Sequence, residues 1–243
     1  MARFFLQHAE ARQVTLTGDD AKHIARVLRM QPGELIELVI GEQAYLAELL
    51  LVDVSGVVAR IGEQLQDSES PLQIHLYQAL PKSDKMDLIV QKATELGVRE
   101  ITPILSERVI VKPKEAAASQ RITRWQRIAA EAAKQSRRRL VPTVHDLLAL
   151  AELPTAPGRL RLVAWEEAER PLAELLQCTE TKQVDILIGP EGGLTSAEVA
   201  VLGRLGFQSV SLGPRILRTE TAPLALVSIL QYQLGDVGGR GRA

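Results

Sequence analysis

The stretch VDILIGPEGGLTSAE, residues 184–198, contains the parts from which α/β proteins build a ligand site. Its first five residues are mostly apolar and β-branched, which predicts an inner strand of a parallel sheet. Thr195 and Glu198 stand three residues apart, as in a capping box, and predict the start of a helix. The loop between them contains three glycines, which let backbone groups approach a ligand because glycine has no Cβ. A strand, a glycine-rich loop and a helix in this order favour a ligand site at the end of the strand.

A second corner, LGPRILRTETA at residues 212–222, repeats this arrangement. A strand ends at Gly213, and a helix starts near Thr219 or Thr221, with Glu220 suited to the positive end of the helix dipole. Neither corner contains the G-x-G-x-x-G or G-K-[ST] pattern, which disfavours a phosphate cradle. Each corner alone is most simply a tight turn that binds nothing. Two of them at adjacent strand ends favour a shared ligand site.

The order of predicted elements divides the chain into two domains, residues 1–70 and 71–243. The polar, aperiodic stretch 64–71 is typical of a linker. Before it, one helix and three strands predict a small β-rich unit, and after it strands and helices alternate, which predicts a mostly parallel sheet covered by helices. The predicted strands are 35–40, 44–52, 57–62, 74–79, 100–105, 159–165, 184–188 and 209–212, and the predicted helices are 19–29, 84–96, 119–138, 196–205 and 221–234.

Composition excludes several classes of protein. The chain of 243 residues is 46% hydrophobic and 24% charged, as expected of a soluble protein with a substantial core. We expect no signal peptide and no membrane helix, since no apolar run approaches the roughly 20 residues such a helix requires. Cys178 is the only cysteine, which fits a reducing cytoplasm. His8, His23, His75 and His145 lack ligand spacing, so no metal site is predicted.

Positive charge is concentrated in the middle of the chain. Residues 80–140 carry 14 Lys and Arg against 7 Asp and Glu, whereas the whole chain has a net charge of −1. A basic segment in a nearly neutral protein suggests a local anionic partner. Three arginines at 137–139, after the long helix, are candidates for phosphate contacts. Aromatic residues make up only 3% of the chain, which argues against RNA binding by base stacking across a sheet.

The first predicted helix carries a smaller basic stripe. Lys22, Arg26 and Arg29 are spaced at i, i+4 and i+7, with His23 at the flank of the stripe. We expect Ile24, Val27 and Leu28 to lie on the opposite, core-facing side. A solvated face above a core face remains the alternative to an RNA-binding stripe.

No Ser-His-Asp or Cys-His arrangement is apparent from residue order or spacing. The chemistry is therefore expected to come from a bound cofactor, or from a few polar residues at the two corners.

Because it contains IGPEGG (188–193) and LGPRILRTETA (212–222), the chain resembles the bacterial 16S rRNA uridine-N3 methyltransferases. These enzymes belong to the SPOUT superfamily of knotted S-adenosylmethionine enzymes. The resemblance covers nearly the whole chain and includes HIARVLRMQPGE (23–34), KSDKMDLIVQKATELGV (82–98) and RWQRIAAEAAKQSRR (124–138). It implies an RNA-binding, PUA-like β-barrel at residues 1–70 and a SPOUT methyltransferase domain with a trefoil knot at 71–243. It also implies a homodimer. Val109 and Arg137 depart from the family pattern, which has a serine and a small residue there.

The resemblance also implies the cofactor site. A methyl donor of this kind carries no phosphate, so a phosphate fingerprint is unnecessary. One wall is expected at the first corner and the other at the second, where Ile216 and Leu217 give the adenine apolar contact. The implied residues are Gly189, Pro190, Glu191, Gly192, Gly193, Leu212, Gly213, Ile216, Leu217, Arg218, Thr221 and Ala222.

Methylation of uracil N3 requires that its proton leave, that the reacting atoms be aligned, and that charge on the uracil oxygens be stabilised. We expect Arg218 to stabilise this charge and either Glu191 or Glu220 to accept the proton. The alternatives are a structural arginine, a turn carboxylate and a residue that compensates the helix dipole.

The expected partner is 16S rRNA or the small ribosomal subunit. The residues predicted to bind RNA are Lys22, His23, Arg26, Arg29, Lys85, Lys92, Arg108, Gln135, Arg137 and Arg138. Two other functions stay open at this point. One is a nucleotide-dependent oxidoreductase or hydrolase on a doubly wound sheet, disfavoured by the missing fingerprints, and the other is an RNA-binding protein without catalysis.

Overall fold

The computed structural model describes residues 1–9, 11–66, 69–109, 115–177 and 179–238. Contacts between residues divide the described chain into two compact units. The first consists of Met1–Glu69 together with Lys134–Leu140, and the second contains the remaining described residues. The sequence did not indicate that residues 134–140 return to the first unit, because they directly follow a long helix.

The first unit is built on a five-stranded sheet with the strand order β1-β3-β4-β5-β2. Strands β1 and β3 are parallel, and the other neighbours are antiparallel. The three predicted strands are present, whereas β1 and β2 were missed because four residues are too few to show an alternation. The strands are β1 (Arg3–Leu6), β2 (Gln13–Leu16), β3 (Leu35–Ile40), β4 (Gln43–Asp53) and β5 (Gly56–Gln64).

The predicted helix 19–29 is present in a modified form. It begins as α1 (Gly18–Lys22), continues as a π-helical segment (His23–Leu28) and ends at Arg29 in the left-handed conformation. The wider π turn changes the direction of the side chains that follow. Ile24 is buried as expected, but Val27 is 67% exposed and Leu28 is 39% exposed, so their predicted core-facing position was wrong.

The second unit contains a parallel sheet of seven strands, which confirms the predicted α/β class. Its order is β12-β10-β11-β6-β7-β8, and β9 also pairs with β7. All five residues of the stretch 184–188 are buried in β11, as the apolar pattern predicted. The trefoil knot implied by the resemblance stays a prediction. The strands are β6 (Gln73–Ala79), β7 (Val98–Leu105), β8 (Thr143–Val144), β9 (Leu148–Ala149), β10 (Leu160–Ala164), β11 (Gln183–Ile188) and β12 (Gln208–Val210).

Side chains alternate between the two faces along each strand, and helices cover both faces because both carry buried apolar side chains. Ile186 packs into the core under α2, α3 and α6, and Leu187 packs on the other face with Leu202 of α5. Within the described residues, no helix is long and apolar enough to cross a membrane. The helices are α2 (Lys85–Glu95), α3 (Glu115–Gln135), α4 (Leu172–Leu176), α5 (Ser196–Arg204) and α6 (Ala222–Leu234).

Candidate active site

A cavity of about 320 Å³ lies at the carboxyl ends of β10, β11 and β12. The ends of parallel strands share one edge of a sheet, and this edge is where open α/β sheets bind ligands. The structure brings both glycine-bearing corners into this one cavity. Its lining residues are Ala164, Trp165, Glu166, Ile188, Gly189, Pro190, Gly193, Leu194, Ser211, Leu212, Gly213, Pro214, Arg215, Ile216, Leu217, Thr219 and Ala222.

The first corner has the conformation that its glycines and capping residues predict. Gly193 has a φ of +71°, a region that favours glycine, and its N–H donates to the Pro190 carbonyl oxygen at 2.9 Å. The capping box is confirmed. The Glu198 N–H donates to Thr195 Oγ1 at 3.2 Å, and the Thr195 N–H donates to Glu198 Oε2 at 2.9 Å. These bonds fix the point at which the chain leaves the cavity and enters α5.

A buried hydrogen-bonded group joins the two corners. Thr219 Oγ1 donates to the Gly189 carbonyl oxygen at 2.8 Å and accepts from Gln78 Nε2 at 3.1 Å. Gln78 is fully buried at the end of β6, and its amide also donates to the Ala79 carbonyl oxygen at 3.0 Å. Buried polar groups are stable when they are paired in this way. Thr219 therefore sets the distance between the corners, a role that no pattern in the sequence indicated.

The residues implied for cofactor binding divide into three groups. Glu191 and Gly192 point away from the cavity, and a Cβ on Gly192 would meet Arg108 Cβ at 3.3 Å. Arg218 and Thr221 are exposed and lie outside the lining of both cavities described here. The implied residues that line the cavity are Gly189, Pro190, Gly193, Leu212, Gly213, Ile216, Leu217 and Ala222.

A third segment of the cavity wall was missed by sequence reasoning. Ala164, Trp165 and Glu166 follow β10, and all three line the cavity. No glycine or known motif marks this segment. The only available signal was its position after a predicted strand of a parallel sheet, where ligand-binding residues are common.

A second cavity of about 360 Å³ lies beside the first and shares Pro190 with it. Arg108 Nη1 donates to the Gly192 carbonyl oxygen at 2.7 Å, so this arginine holds the loop that separates the cavities. The other lining residues are Leu80, Pro81, Lys82, Ser83, Asp84, Met86, Asp87, Val109, Arg121, Arg124, Trp125, Glu191 and Gly192.

Acid–base pairing limits the charge of this second cavity. Asp87 accepts from Trp125 Nε1 at 3.1 Å and forms an ion pair with Arg124. Arg121 is exposed and forms no ion pair within the described part of the chain. Lys82 and Arg108 also line the cavity, which leaves its wall with a small excess of positive charge.

Lys85 links the two candidate proton acceptors. Its Nζ lies 3.0 Å from Glu191 Oε1 and 3.0 Å from Glu220 Oε2. Burial raises the pKa of each carboxyl, but hydrogen bonds from Lys85 and from backbone N–H groups outweigh burial, so both pKa values are lowered. The Lys82 N–H is one of these donors, at 3.0 Å from Glu191 Oε1. Both glutamates are therefore ionised and are weaker proton acceptors than a free glutamate.

The residues predicted to bind RNA occupy different environments. Lys22, His23, Arg26, Arg29, Gln135 and Arg137 are exposed in the first unit or at the end of α3, and Arg108 lines the second cavity.

Among the exposed residues, Lys22 lies 3.5 Å from the carboxylate of Asp19. Three other predicted residues are held by acidic partners. Arg138 is buried and pairs with Glu69 at 2.8 Å. Lys92 lies 2.9 Å from Glu95, and Lys85 is paired as described above. The position of Arg138 does not favour its predicted contact with RNA.

Two histidines with no ligand spacing in the sequence meet near the amino ends of β6 and β7. Ligand atoms of His75, Glu100 and His145 all lie within 4.8 Å of one another. Within this group His145 Nε2 lies 2.8 Å from Glu100 Oε2, and His75 Nε2 lies 2.7 Å from Thr102 Oγ1. These hydrogen bonds account for the geometry of the group. This group could not be predicted from the sequence because its three residues come from separate segments of the chain.

We expect this group to make the stability of the second unit depend on pH. Burial, opposed by Glu100 and assisted by nearby cations, lowers the pKa of His75 to about 4. Between about pH 6.5 and pH 4 an unfolded histidine binds a proton that the folded one does not, so stability falls as the pH falls. Urea unfolding followed by tryptophan fluorescence should show a loss on the order of 2 kcal/mol over this window. The charged and titratable groups around His75 are Tyr77, Glu100, His145, Arg159, Arg161 and Asp185.

His75→Gln should make this pH dependence shallower, because glutamine does not titrate. His8→Gln is the matched control, since His8 is exposed in the first unit. An unchanged slope in His75→Gln would contradict the assignment of the effect to His75.

Comparison with family models identifies the class of protein. Residues 68–231 match the model of an RNA methyltransferase domain, and residues 16–61 match that of an RNA methyltransferase PUA domain. The fold and the cavity at its strand ends thus belong to an RNA methyltransferase that carries a PUA domain. The PUA match ends before the predicted linker at residues 64–71, and the methyltransferase match begins within that linker, at residue 68.

Individual relatives narrow the class further. Ribosomal RNA small subunit methyltransferase E of Bacillus subtilis (strain 168) is 35% identical, over 96% of this chain and 97% of that protein. The protein of the same name from Aquifex aeolicus (strain VF5) is 34% identical, over 93% of this chain and 97% of its own length. The chain belongs to the family of ribosomal RNA small subunit methyltransferase E, which confirms the resemblance seen in the sequence.

Solved structures agree with this assignment. A ribosomal RNA small subunit methyltransferase E from Neisseria gonorrhoeae, bound to S-adenosylmethionine, is 36% identical and superposes with a TM-score of 0.88. The match covers 98% of this chain and 99% of that one. A protein from Legionella pneumophila in complex with the same cofactor is 32% identical, with a TM-score of 0.85, over 97% of this chain and 99% of its own.

Proposed function

We propose that this protein transfers the methyl group of S-adenosylmethionine to N3 of a uridine in the RNA of the small ribosomal subunit. The observation that carries the proposal is the meeting of two glycine-bearing corners around one cavity, within a domain that matches RNA methyltransferases. The neighbouring cavity with its excess of basic side chains gives a polyanion a place beside the cofactor.

The first cavity suits S-adenosylmethionine in size and chemistry. Its volume of about 320 Å³ is in the range of small-molecule sites. Leu217 and Ala222 provide an apolar wall, and Gly213 leaves backbone accessible. Trp165 Nε1 is buried and has no hydrogen-bond partner within the described residues, so a ligand atom can satisfy it. When bound, the cofactor supplies an activated methyl group.

The second cavity is the proposed entrance for the uridine. It shares Pro190 with the first cavity, so a base inside it would lie next to the methyl donor. We assign to Arg108 and Arg121, which line this cavity, contacts with the phosphates on either side of that base. Lys82 adds a third positive charge at the same wall.

Stabilisation of the developing negative charge requires a cation close to the cofactor cavity. Arg218 follows Leu217, which lines the cofactor cavity, and precedes Glu220, which pairs with Lys85. We assign to Arg218 the stabilisation of negative charge on the uracil oxygens. The lowered pKa values of Glu191 and Glu220 favour the alternatives to proton acceptance, a turn carboxylate and a residue that compensates the helix dipole. The ion pairs of both glutamates with Lys85 also join the two corners.

A homodimer is part of this proposal. Helices α2 and α6 contact each other and leave apolar side chains on the surface: Leu88 is 43% exposed, Ile229 40% and Tyr232 58%. A second copy of the chain would bury these side chains, as exposed apolar groups in soluble proteins often require. Sedimentation of the purified chain measures its oligomeric state, and a monomer at micromolar concentration would contradict this part of the proposal.

The direct test of the function is mass spectrometry of rRNA nucleosides. Small-subunit RNA from a strain that lacks the gene should lack one N3-methyluridine, and a plasmid copy should restore it. Purified protein with labelled S-adenosylmethionine should transfer the label to RNA from the deletion strain. A nucleoside profile unchanged by the deletion would overturn the proposed function.

The exposed cations Lys22, Arg26 and Arg29 are expected to anchor RNA. Replacing all three by alanine should weaken RNA binding and reduce its salt dependence, because each lost phosphate contact lowers the slope of log K against log salt by about 0.7–0.9. Filter binding over a series of salt concentrations measures both quantities. Arg60→Ala is the control, since Arg60 is an exposed arginine of the same unit that pairs with Glu48. An affinity and salt slope equal to wild type would favour the solvated-face alternative.

A further inference from the structure

The cofactor cavity has one acidic and one basic side chain on its wall. Glu166 follows β10, and Arg215 lies in the second corner. No other described lining residue is charged, and neither of these two forms an ion pair within the described chain. Neither was predicted from the sequence as a site residue. An unpaired acid and an unpaired base at one cavity are a complementary surface for a ligand that carries both charges.

The Glu166 carboxylate lies beside the first corner. It lies against Gly193, where an added Cβ would come within 3.3 Å of Glu166 Cδ and would overlap its Oε1. Gly193 also has a φ of +71°, so the corner has both the space and the conformation that glycine provides. The glycine at 193 therefore leaves room for a carboxylate beside the ligand.

The proposed cofactor carries such a pair of charges. Its amino-acid tail has an ammonium and a carboxylate group, whereas its adenosine part is uncharged. Arginine binds carboxylates through a planar pair of donors, and a carboxylate accepts charge-assisted hydrogen bonds from an ammonium group. We propose that Glu166 binds the ammonium group of this tail and Arg215 its carboxylate, which rests on the proposed function. The two residues thus select ligands with an intact amino-acid tail.

Calorimetry with four related ligands tests the assignment of Glu166. Glu166→Gln should weaken binding of S-adenosylmethionine and S-adenosylhomocysteine about tenfold, equivalent to about 1.4 kcal/mol. It should leave binding of 5′-methylthioadenosine, which lacks the tail, within about twofold of wild type. Retained binding of that ligand also shows that the variant is folded. Glu167→Gln is the matched control, because the neighbouring glutamate is exposed and lines neither cavity described here.

Arg215 is tested separately with a ligand that lacks only the carboxylate. Arg215→Gln should weaken the binding of S-adenosylmethionine about tenfold and leave the binding of decarboxylated S-adenosylmethionine unchanged. The same decarboxylated ligand should remain sensitive to Glu166→Gln, since it keeps the ammonium group.

Three results would overturn this inference. If Glu166→Gln weakened the binding of 5′-methylthioadenosine as much as that of S-adenosylmethionine, the Glu166 carboxylate would contact the ribose hydroxyls instead of the tail. If Glu166→Gln weakened the binding of S-adenosylmethionine but not that of S-adenosylhomocysteine, the Glu166 carboxylate would interact with the sulfonium charge instead of the tail. If both variants bound all four ligands with wild-type affinity, neither Glu166 nor Arg215 would contribute to the site. A wild-type protein that binds none of the ligands would instead overturn the proposed function.

Discussion

Gly213→Val is expected to reduce the affinity for S-adenosylmethionine by on the order of 10²-fold or more, while the protein remains folded. Gly213 has a φ of +119°, and an added Cβ would meet no described atom within 4 Å. Valine at this φ costs about 1–3 kcal/mol of backbone strain, which the loop relieves by leaving the conformation that lines the cavity. The branched side chain would also extend from the cavity wall toward the ligand. Calorimetry with S-adenosylmethionine measures the loss.

A comparison with Gly158→Val separates the effect of backbone strain from the effect of lying in the wall of the cofactor cavity. Gly158 has a φ of +83°, is exposed, and has the same empty surroundings, but it lies outside both cavities described here. We expect a comparable loss of stability in the two variants and a loss of cofactor affinity only in Gly213→Val. Wild-type affinity in Gly213→Val would show that the second corner does not hold the cofactor.

Arg218→Ala is expected to lower the single-turnover rate of RNA methylation by roughly 10²–10³, because one preorganised donor to a developing oxyanion typically contributes this much. The KM for RNA should change far less. The backbone of Arg218 already serves the start of α6, since its carbonyl oxygen accepts from the Thr221 N–H at 2.8 Å and the Ala222 N–H at 2.9 Å. Alanine keeps these bonds, so the variant removes only the side chain.

Arg218→Lys should recover little of the rate, because an ammonium group does not reproduce the planar donors of a guanidinium. Arg204→Ala is a suitable control, as Arg204 is an exposed arginine at the end of α5 outside both cavities described here. Calorimetry and sedimentation of the same preparations test the structural alternative. A normal single-turnover rate in Arg218→Ala would show that the arginine takes no part in the reaction. A monomeric variant would show that its role is structural.

Sequence patterns predicted most of the second unit because its core strands are short apolar runs between clear breaks. β11 is the best case, since every residue of 184–188 is buried. The short elements were missed for lack of length: α4 has five residues, and β8 and β9 have two each. The exposure of Val27 had a different cause, since an amphipathic pattern assumes the ordinary helical period and the chain forms a π turn there.

The candidate site was predictable where glycine marked it and not elsewhere. The two corners drew attention to Gly189 and Gly213, but direction within a turn is not visible in a sequence, and Gly192 faces Arg108 instead of the cofactor cavity. Glu166 lies in a segment without any motif. The ion pairs of Lys85 with two glutamates, more than a hundred residues away along the chain, depend on how the strands are ordered in the sheet.

The return of residues 134–140 to the first unit has a consequence for the order in which the chain can fold. Glu69 accepts hydrogen bonds from Arg138 Nη2 at 2.8 Å, the Arg139 N–H at 2.7 Å and the Leu140 N–H at 3.1 Å. During synthesis these donors leave the ribosome long after the five strands that precede Glu69. Although domains usually fold in the order in which they emerge, this one completes its contacts only after more than half of the chain has been made. A fragment that stops at residue 70 would leave the Glu69 carboxylate without them, so a gene cut at the linker is expected to give an unstable amino-terminal piece.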